Sequence, residues 1–166
     1  LLVIAIFGLI CGIGFKISAV PFHFWCTDVF EGASIDVSAF LSVASKGAAL
    51  ALLLRVMMTF AAALGYQNHL GVSLSAIAWT IGIIGAVTCT VGNTGAFVQT
   101  NIKRLLAYSS IAHAGYMLCA ISVLVRHGAA LNDPANQVAQ VLLFYLGAYL
   151  FMNLGAFTIA GLIWRE

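Results

Sequence analysis

Three ionisable residues stand in stretches that are otherwise apolar: Lys16 in GLICGIGFKISAV, Lys46 in SVASKGAALALLL, and His113 in SSIAHAGYML. An ionisable group at the centre of a membrane helix costs at least about 2.5–3.5 kcal/mol to insert, and by default such groups mark ion pathways. Spacing sets their depth. Lys16 lies nine residues before Trp25, read as an interface aromatic, which at about 1.5 Å per residue puts it roughly 13 Å deep. Lys46 follows Asp36 by ten residues and His113 follows Lys103 by ten, so each lies roughly 15 Å from the same face. Three helices thus bring titratable groups to about one plane, as a lateral proton path requires. Snorkelling does not explain the lysines, since a four-carbon stem spans only about 6 Å. In a dehydrated site a lysine releases its proton more readily than in water, and histidine titrates near neutrality without help. For His113 a second role stands open, a hydrogen bond joining two helices.

Pro21 follows Lys16 by five residues and cannot donate to the carbonyl of Ile17, so the helix should break between about Lys16 and Pro21 with a polar cavity or water beside it. Broken helices at mid-membrane line cavities, because their freed carbonyls need polar partners. A packing kink is the plainer alternative.

The elements that hold these residues follow from composition. The 166 residues are 63% hydrophobic and 7% charged, with a mean hydropathy of +1.07, far from the roughly 25% charged content of soluble domains. The fold class is therefore all-α, a polytopic membrane helix bundle, its first helix broken near Pro21. Five segments reach the length of about 20 residues that a crossing needs: 1–23, 36–58, 73–98, 104–125 and 138–164. The stretches WCTDVFEGAS, AALGYQNHLG, QTNIKR and RHGAALNDPANQ read as the connections. Alternation places Lys103, Arg104 and Arg165 on one face with Asp28 and Glu31, and Arg55 and Arg126 on the other. The positive-inside rule then assigns the first face to the cytoplasm or matrix. Residues 1–166 form a single membrane domain, without internal repeat, and the chain is expected to begin mid-protein.

Several functions are disfavoured. A formal charge of +2 gives no basic patch for nucleic acid. Cys11, Cys26, Cys89 and Cys119 are far apart with no CxxC pair, so they read as small apolar fillers. His23 and Cys26 make no metal set, and Gly12-Ile13-Gly14 lacks the third glycine of a dinucleotide loop. Gly82, Gly85, Gly92 and Gly95 read as helix-packing positions. Lys103 and Arg104 read as interfacial anchors, and Trp25, Trp79 and Trp164 as belt or packing residues.

The blocks GFKISAVPFHFW (14–25), DVFEGA (28–33), AFLSVASK (39–46) and QTNIKRLLAYSSIAHAGY (99–116), continued by YLF (149–151) and LGAF (154–157), resemble the antiporter-like, proton-conducting membrane subunits of respiratory NADH:quinone oxidoreductase, complex I. The resemblance covers essentially the whole chain. The lysine-proline-histidine-tryptophan pattern is shared across that superfamily, while DVFEGA and the Ala-Ser-Lys ending resemble the subunit N type. Thr27 stands where a proline usually precedes the aspartate and Asp36 near a second proline position, departures that bear on the loop.

The resemblance implies that Lys16 is the lysine of the broken seventh helix and Lys46 that of the eighth, within helices seven to eleven of about fourteen, so that the chain is a fragment or the product of a split gene. It further implies proton translocation coupled to quinone reduction elsewhere, by a non-redox subunit with no cofactor of its own. NADH, FMN, iron–sulfur clusters and quinone would belong to partner subunits. The partners implied are other membrane-arm subunits and the remainder of its own subunit, in the lipid bilayer of a mitochondrial inner membrane or bacterial plasma membrane. The alternatives are a subunit of a multisubunit cation/proton antiporter, and a structural or assembly subunit without pumping. Asp28, Glu31, Asp36, Asp133 and Glu166 are all expected at interface depth, so the acidic partner of Lys16 should come from outside this chain.

Overall fold

The computed structural model describes residues 2–66, 74–127 and 134–163. Among the described residues the chain is helical throughout except for short connectors. The helices are α1 (Leu2–Ile17), α2 (Phe24–Gly32), α3 (Ile35–Phe40), which runs through a π turn (Leu41–Ser45) into α4 (Lys46–Tyr66), then α5 (Leu74–Phe97), α6 (Ile102–His127) and α7 (Pro134–Ile163). Among the described residues, four stretches are long and apolar enough to cross a membrane: Ile35–Thr59, Ser75–Phe97, Ile102–Arg126 and Ala139–Ile163, with Gly8–Ile17 as a shorter apolar helix. The bundle is thus the all-α membrane architecture expected, and each of its five apolar segments carries a helix, the first only as far as Ile17 and shorter than a crossing. The second of them runs past 58 to Tyr66, so Arg55 lies within the helix rather than at its end.

The first segment is broken between Lys16 and Pro21, as expected, with the break at Ser18 rather than at the proline itself. Ser18 adopts φ 64°, and its N–H bonds the Phe15 carbonyl (3.1 Å) while the Ala19 N–H bonds that of Gly14 (2.8 Å). Paired bonds of this kind around a left-handed residue end a helix. The α-helix therefore stops at Ile17, four residues before Pro21, which lies in the connector, residues 18–23. Trp25 Nε1 also donates to the Phe15 carbonyl, 3.0 Å away, and its ring stacks on Phe15. Trp25 is thus a fastener of the break. The Val20 N–H is satisfied by Thr88 Oγ1 on α5 at 3.0 Å. Ser18 Oγ and His23 Nδ1 are buried without a partner among the described residues. A cavity of about 60 Å³ adjoins the break, but Ile17, Phe22, Leu53 and Leu118 line it rather than the polar groups expected.

The stretch expected as a polar loop, WCTDVFEGAS, is mostly helix: α2 covers Phe24–Gly32. It has an inward side, since Cys26, Thr27 and Phe30, one turn apart, are all buried, the first and last packing with Ala107 and Ile111 of α6 and Phe157 of α7. Its outer end is pinned by the charges placed on this face. Arg104 Nη1 meets Glu31 Oε2 at 3.1 Å and Arg104 Nη2 meets Asp28 Oδ1 at 3.5 Å. Lys103 Nζ donates to the carbonyls of Glu31 (3.3 Å) and Ala33 (3.0 Å). Lys103 and Arg104 therefore tie α2 to α6 in addition to marking the interface. At the other end of α6, Arg126 lies over the Trp79 ring at 5.4 Å.

The closest helix pair is α5 with α6. A Cβ on Gly92 would lie 2.6 Å from Ala112 N, and one on Gly115 would lie 2.5 Å from Cys89 N. Backbones meet at that distance only where side chains are absent, the way helices associate in lipid without a hydrophobic driving force between them. Gly82, Gly85 and Gly95 also face α6 closely, as expected from their spacing. This seam sets the position of α6, which carries Ser110 and His113 on one face.

Candidate functional site

Lys46 is the first residue of α4, directly after the π turn. It is 1% exposed. Its Nζ donates to Ser110 Oγ on α6 at 2.5 Å, lies 3.8 Å from Cys26 Sγ on α2, and sits 5.9 Å from the centre of the Phe30 ring. Cys26, expected as an apolar filler, is thus in polar contact with the lysine. No carboxylate touches Lys46 among the described residues. A buried ammonium is ordinarily paired with a charge, and the groups that touch this amine are all neutral.

From Ser110 a line of polar side chains continues. Tyr149 on α7 is 3% exposed, and its hydroxyl lies 3.1 Å from Ser110 Oγ and 3.3 Å from the Ser42 carbonyl in the π turn. The Tyr149 and His113 rings are 5.1 Å apart by centroids. His113 Nδ1 meets the Tyr145 hydroxyl at 2.5 Å, and Tyr116 lies edge-on to the His113 ring at 5.8 Å. The Tyr116 hydroxyl accepts from Asn93 Nδ2 at 2.7 Å on the exposed side of α5. Helical spacing builds this line: Ser110, His113 and Tyr116 recur every three residues on α6, and Tyr145 and Tyr149 are four apart on α7. Asn153, one more turn along α7, is 2% exposed with Nδ2 unpartnered among the described residues.

Lys16 lies elsewhere. It is exposed on the last turn of α1, and with Leu9, Phe40, Ser45 and Ala49 it lines an open groove of about 780 Å³ between α1 and the α3–α4 rod. Among the described residues it has neither a hydrogen bond nor an ion pair. Lys46 follows Ser45 by one position, about 100° round the helix, and so points into the bundle while Ser45 faces the groove. Of the three residues placed near mid-depth, Lys46 and His113 are brought to one polar line, and Lys16 sits on the far side of the rod from them. Pro21 is in the connector above it. The acidic residues Asp28, Glu31 and Asp36 lie on α2 and the start of α3, and none contacts Lys16; Asp133 and Glu166 lie outside the described residues.

Sequence reasoning assigned no polar role to Ser110, Tyr145, Tyr149, Asn153 or Cys26. A signal was present for four of them: polar residues repeating at helical intervals, Ser110 with His113 on α6, and Tyr145, Tyr149 and Asn153 on a segment with no charge to draw attention.

Comparison with known proteins places this arrangement. Residues 1–166 match the family described as NADH:quinone oxidoreductase/Mrp antiporter, transmembrane. Among similar proteins, the NADH-quinone oxidoreductase subunit N of Anaeromyxobacter sp. (strain Fw109-5) is 45% identical over 165 residues, covering 98% of this chain and 30% of the relative. That of Chlorobium chlorochromatii (strain CaD3) is 47% identical over 156 residues, 93% of this chain and 28% of the relative. That of Rubrobacter xylanophilus is 41% identical over 168 residues, 98% of this chain and 32% of the relative. The chain thus spans about 30% of the length of the relatives it matches.

Proposed function

Because this chain belongs to the family of NADH:quinone oxidoreductase and Mrp antiporter membrane subunits, we propose that it moves protons within the membrane arm of an NADH:quinone oxidoreductase, driven by quinone reduction in other subunits. Lys46 is the central carrier. The observation that supports this most is its burial at 1% exposure among neutral partners, an insertion cost that a passive scaffold would have no reason to bear. His113 is the next station, reached along Ser110 and Tyr149. Lys16 is a second carrier on the other side of the α3–α4 rod, and its exposure in an open groove fits a partner helix bearing a carboxylate, contributed from outside this chain. Residues 1–166 then act as one membrane unit of a longer subunit, equivalent to its helices seven to eleven. The electron carriers NADH, FMN, iron–sulfur clusters and quinone belong to partner subunits, and the setting is a bacterial plasma membrane or mitochondrial inner membrane.

The family's antiporter branch supports a second reading, in which the same helices exchange protons for a cation. Purification of the native complex through a tag on this chain separates them. The first reading expects flavin and iron–sulfur proteins in the complex and acidification of vesicles driven by NADH. A complex lacking flavin, with proton movement driven by a sodium gradient, would establish the second.

A further inference from the structure

Arg126 ends the apolar stretch Ile102–Arg126, at the opposite end of α6 from Lys103 and Arg104. Its guanidinium carries five N–H donors and lies over the Trp79 ring at 5.4 Å, a contact that engages the charge and supplies no acceptor. Among the described residues Arg126 makes neither an ion pair nor a hydrogen bond. Trp79 is the fifth residue of the stretch Ser75–Phe97, so both side chains sit at the end of a crossing, at the depth of lipid headgroups.

Beside this pair an open groove of about 350 Å³ runs along the α5–α6 seam. Ala78, Gly82 and Ala86, each one turn apart on α5, line one side, and Cys119 and Val123 on α6 line the other. Trp79 (57%) and Ile83 (59%) are exposed along it. The polar atoms of its α6 side are spent on backbone: Ser122 Oγ donates to the Cys119 carbonyl at 2.8 Å and Cys119 Sγ to the Gly82 carbonyl at 3.9 Å. The groove therefore offers carbon along its length and one cation at its mouth. Residues 78–86 span about 12 Å along α5, which gives the groove a mean cross-section of about 30 Å², well under the roughly 80 Å² of a helix about 10 Å across. It admits a hydrocarbon chain, whose neighbours sit at about 3.5–4.0 Å. The small residue Gly82 is already used by α6, since a Cβ there would lie 3.0 Å from Ser122 Oγ.

We propose that this groove binds one anionic phospholipid, its phosphate on the Arg126 guanidinium and one acyl chain along residues 78–86. A guanidinium recognises phosphate through paired N–H···O bonds. A choline lipid carries its own cation beside the phosphate, which Arg126 repels, so the net negative lipid is preferred. Seated there, the lipid covers the outer edge of the seam that positions α6. The proposal does not depend on the assignment of proton carriers.

The test uses the native complex containing this chain, reconstituted with phosphatidylglycerol that bears a photoactivatable group on one acyl chain, with the labelled residues mapped by mass spectrometry. Labelling is expected within residues 78–86 and 119–123, and excess unlabelled phosphatidylglycerol should remove most of it where the same excess of phosphatidylcholine does not. Arg126→Gln should lower labelling of these segments at least about fivefold relative to the rest of the complex, the order expected of one cationic side chain near an anionic lipid. Ile83→Trp, which fills the groove and keeps Arg126, should lower it as well. Unchanged labelling in Arg126→Gln, or equal competition by phosphatidylcholine, would mean hydrocarbon contact without headgroup recognition and overturns the proposal. Absence of label from both segments in the wild-type complex would mean that a protein surface covers the groove, and overturns it too. Should Arg126→Gln fail to assemble, the competition in the wild-type complex decides.

Discussion

Replacing Gly115 by Ala tests whether the α5–α6 seam positions the relay. The new Cβ would lie 2.5 Å from Cys89 N, 2.8 Å from the Gly85 carbonyl oxygen and 2.9 Å from Cys89 Cα. These are backbone atoms of a facing helix and cannot rotate aside, so α6 must move away from α5 by about 1 Å to restore an ordinary contact. Overpacking of this size costs about 1–3 kcal/mol. Gly115 follows His113 by two residues and Ser110 by five, so the displacement reaches both. A shift of about 1 Å stretches the 2.5 Å bond from Lys46 to Ser110 toward the limit of a hydrogen bond. Misplacement on that scale can lower the rate of a positioned reaction by about 10²-fold. The expected outcome is a complex that melts earlier and pumps far more slowly, measured by thermal unfolding and by vesicle acidification. Gly147→Ala is the control, because nothing lies within 4 Å of its added Cβ, and it should change neither property appreciably. A Gly115→Ala complex equal to wild type in both would refute the claim that this seam holds the relay in register.

Lys16→Ala should abolish or sharply reduce quinone-coupled pumping while leaving assembly largely intact, because an apolar residue is cheaper to insert; wild-type pumping by the assembled variant would remove Lys16 from the path. Arg104→Ala should cost about 1 kcal/mol or less in stability, since its ion pairs with Glu31 and Asp28 are partly exposed, and the loss should shrink at high salt; a change of several kcal/mol would mean that α2 depends on this one side chain. His113→Ala should reduce pumping less than Lys46→Ala, and equal losses would place the two carriers in one obligatory step.

The residues differ in how far their surroundings could be read from sequence. Segment positions were legible because a bilayer demands long apolar runs, and the break was legible because Lys16 and Pro21 both conflict with a continuous dry helix. What stops α1 is the left-handed Ser18, a conformation that serine does not advertise. The helix Phe24–Gly32 was hidden because Asp28 and Glu31 make its outer side look like a loop, while its inner side needs α6 and α7 to be recognised. The spacing from Lys16 to Trp25 did not measure depth, because α1 ends at Ile17 and the chain folds Trp25 back onto Phe15, next to Lys16; direction was not readable either, since Lys16 faces an open groove and Lys46 the bundle interior. No residue type marks the π turn in LSVAS, which precedes Lys46. The expectations for Asp133, Trp164, Arg165 and Glu166 fall outside the described residues.

The account stands most directly on Lys46, whose amine is enclosed by a serine, a thiol and an aromatic ring with no carboxylate in contact among the described residues. The measurement is the number of protons moved per electron by the intact complex carrying Lys46→Ala, with quinone reduction followed in the same vesicles. The account predicts full assembly with protons per electron reduced, or with pumping and quinone reduction lost together. An assembled Lys46→Ala complex that reduces quinone and pumps protons at the wild-type ratio would contradict it.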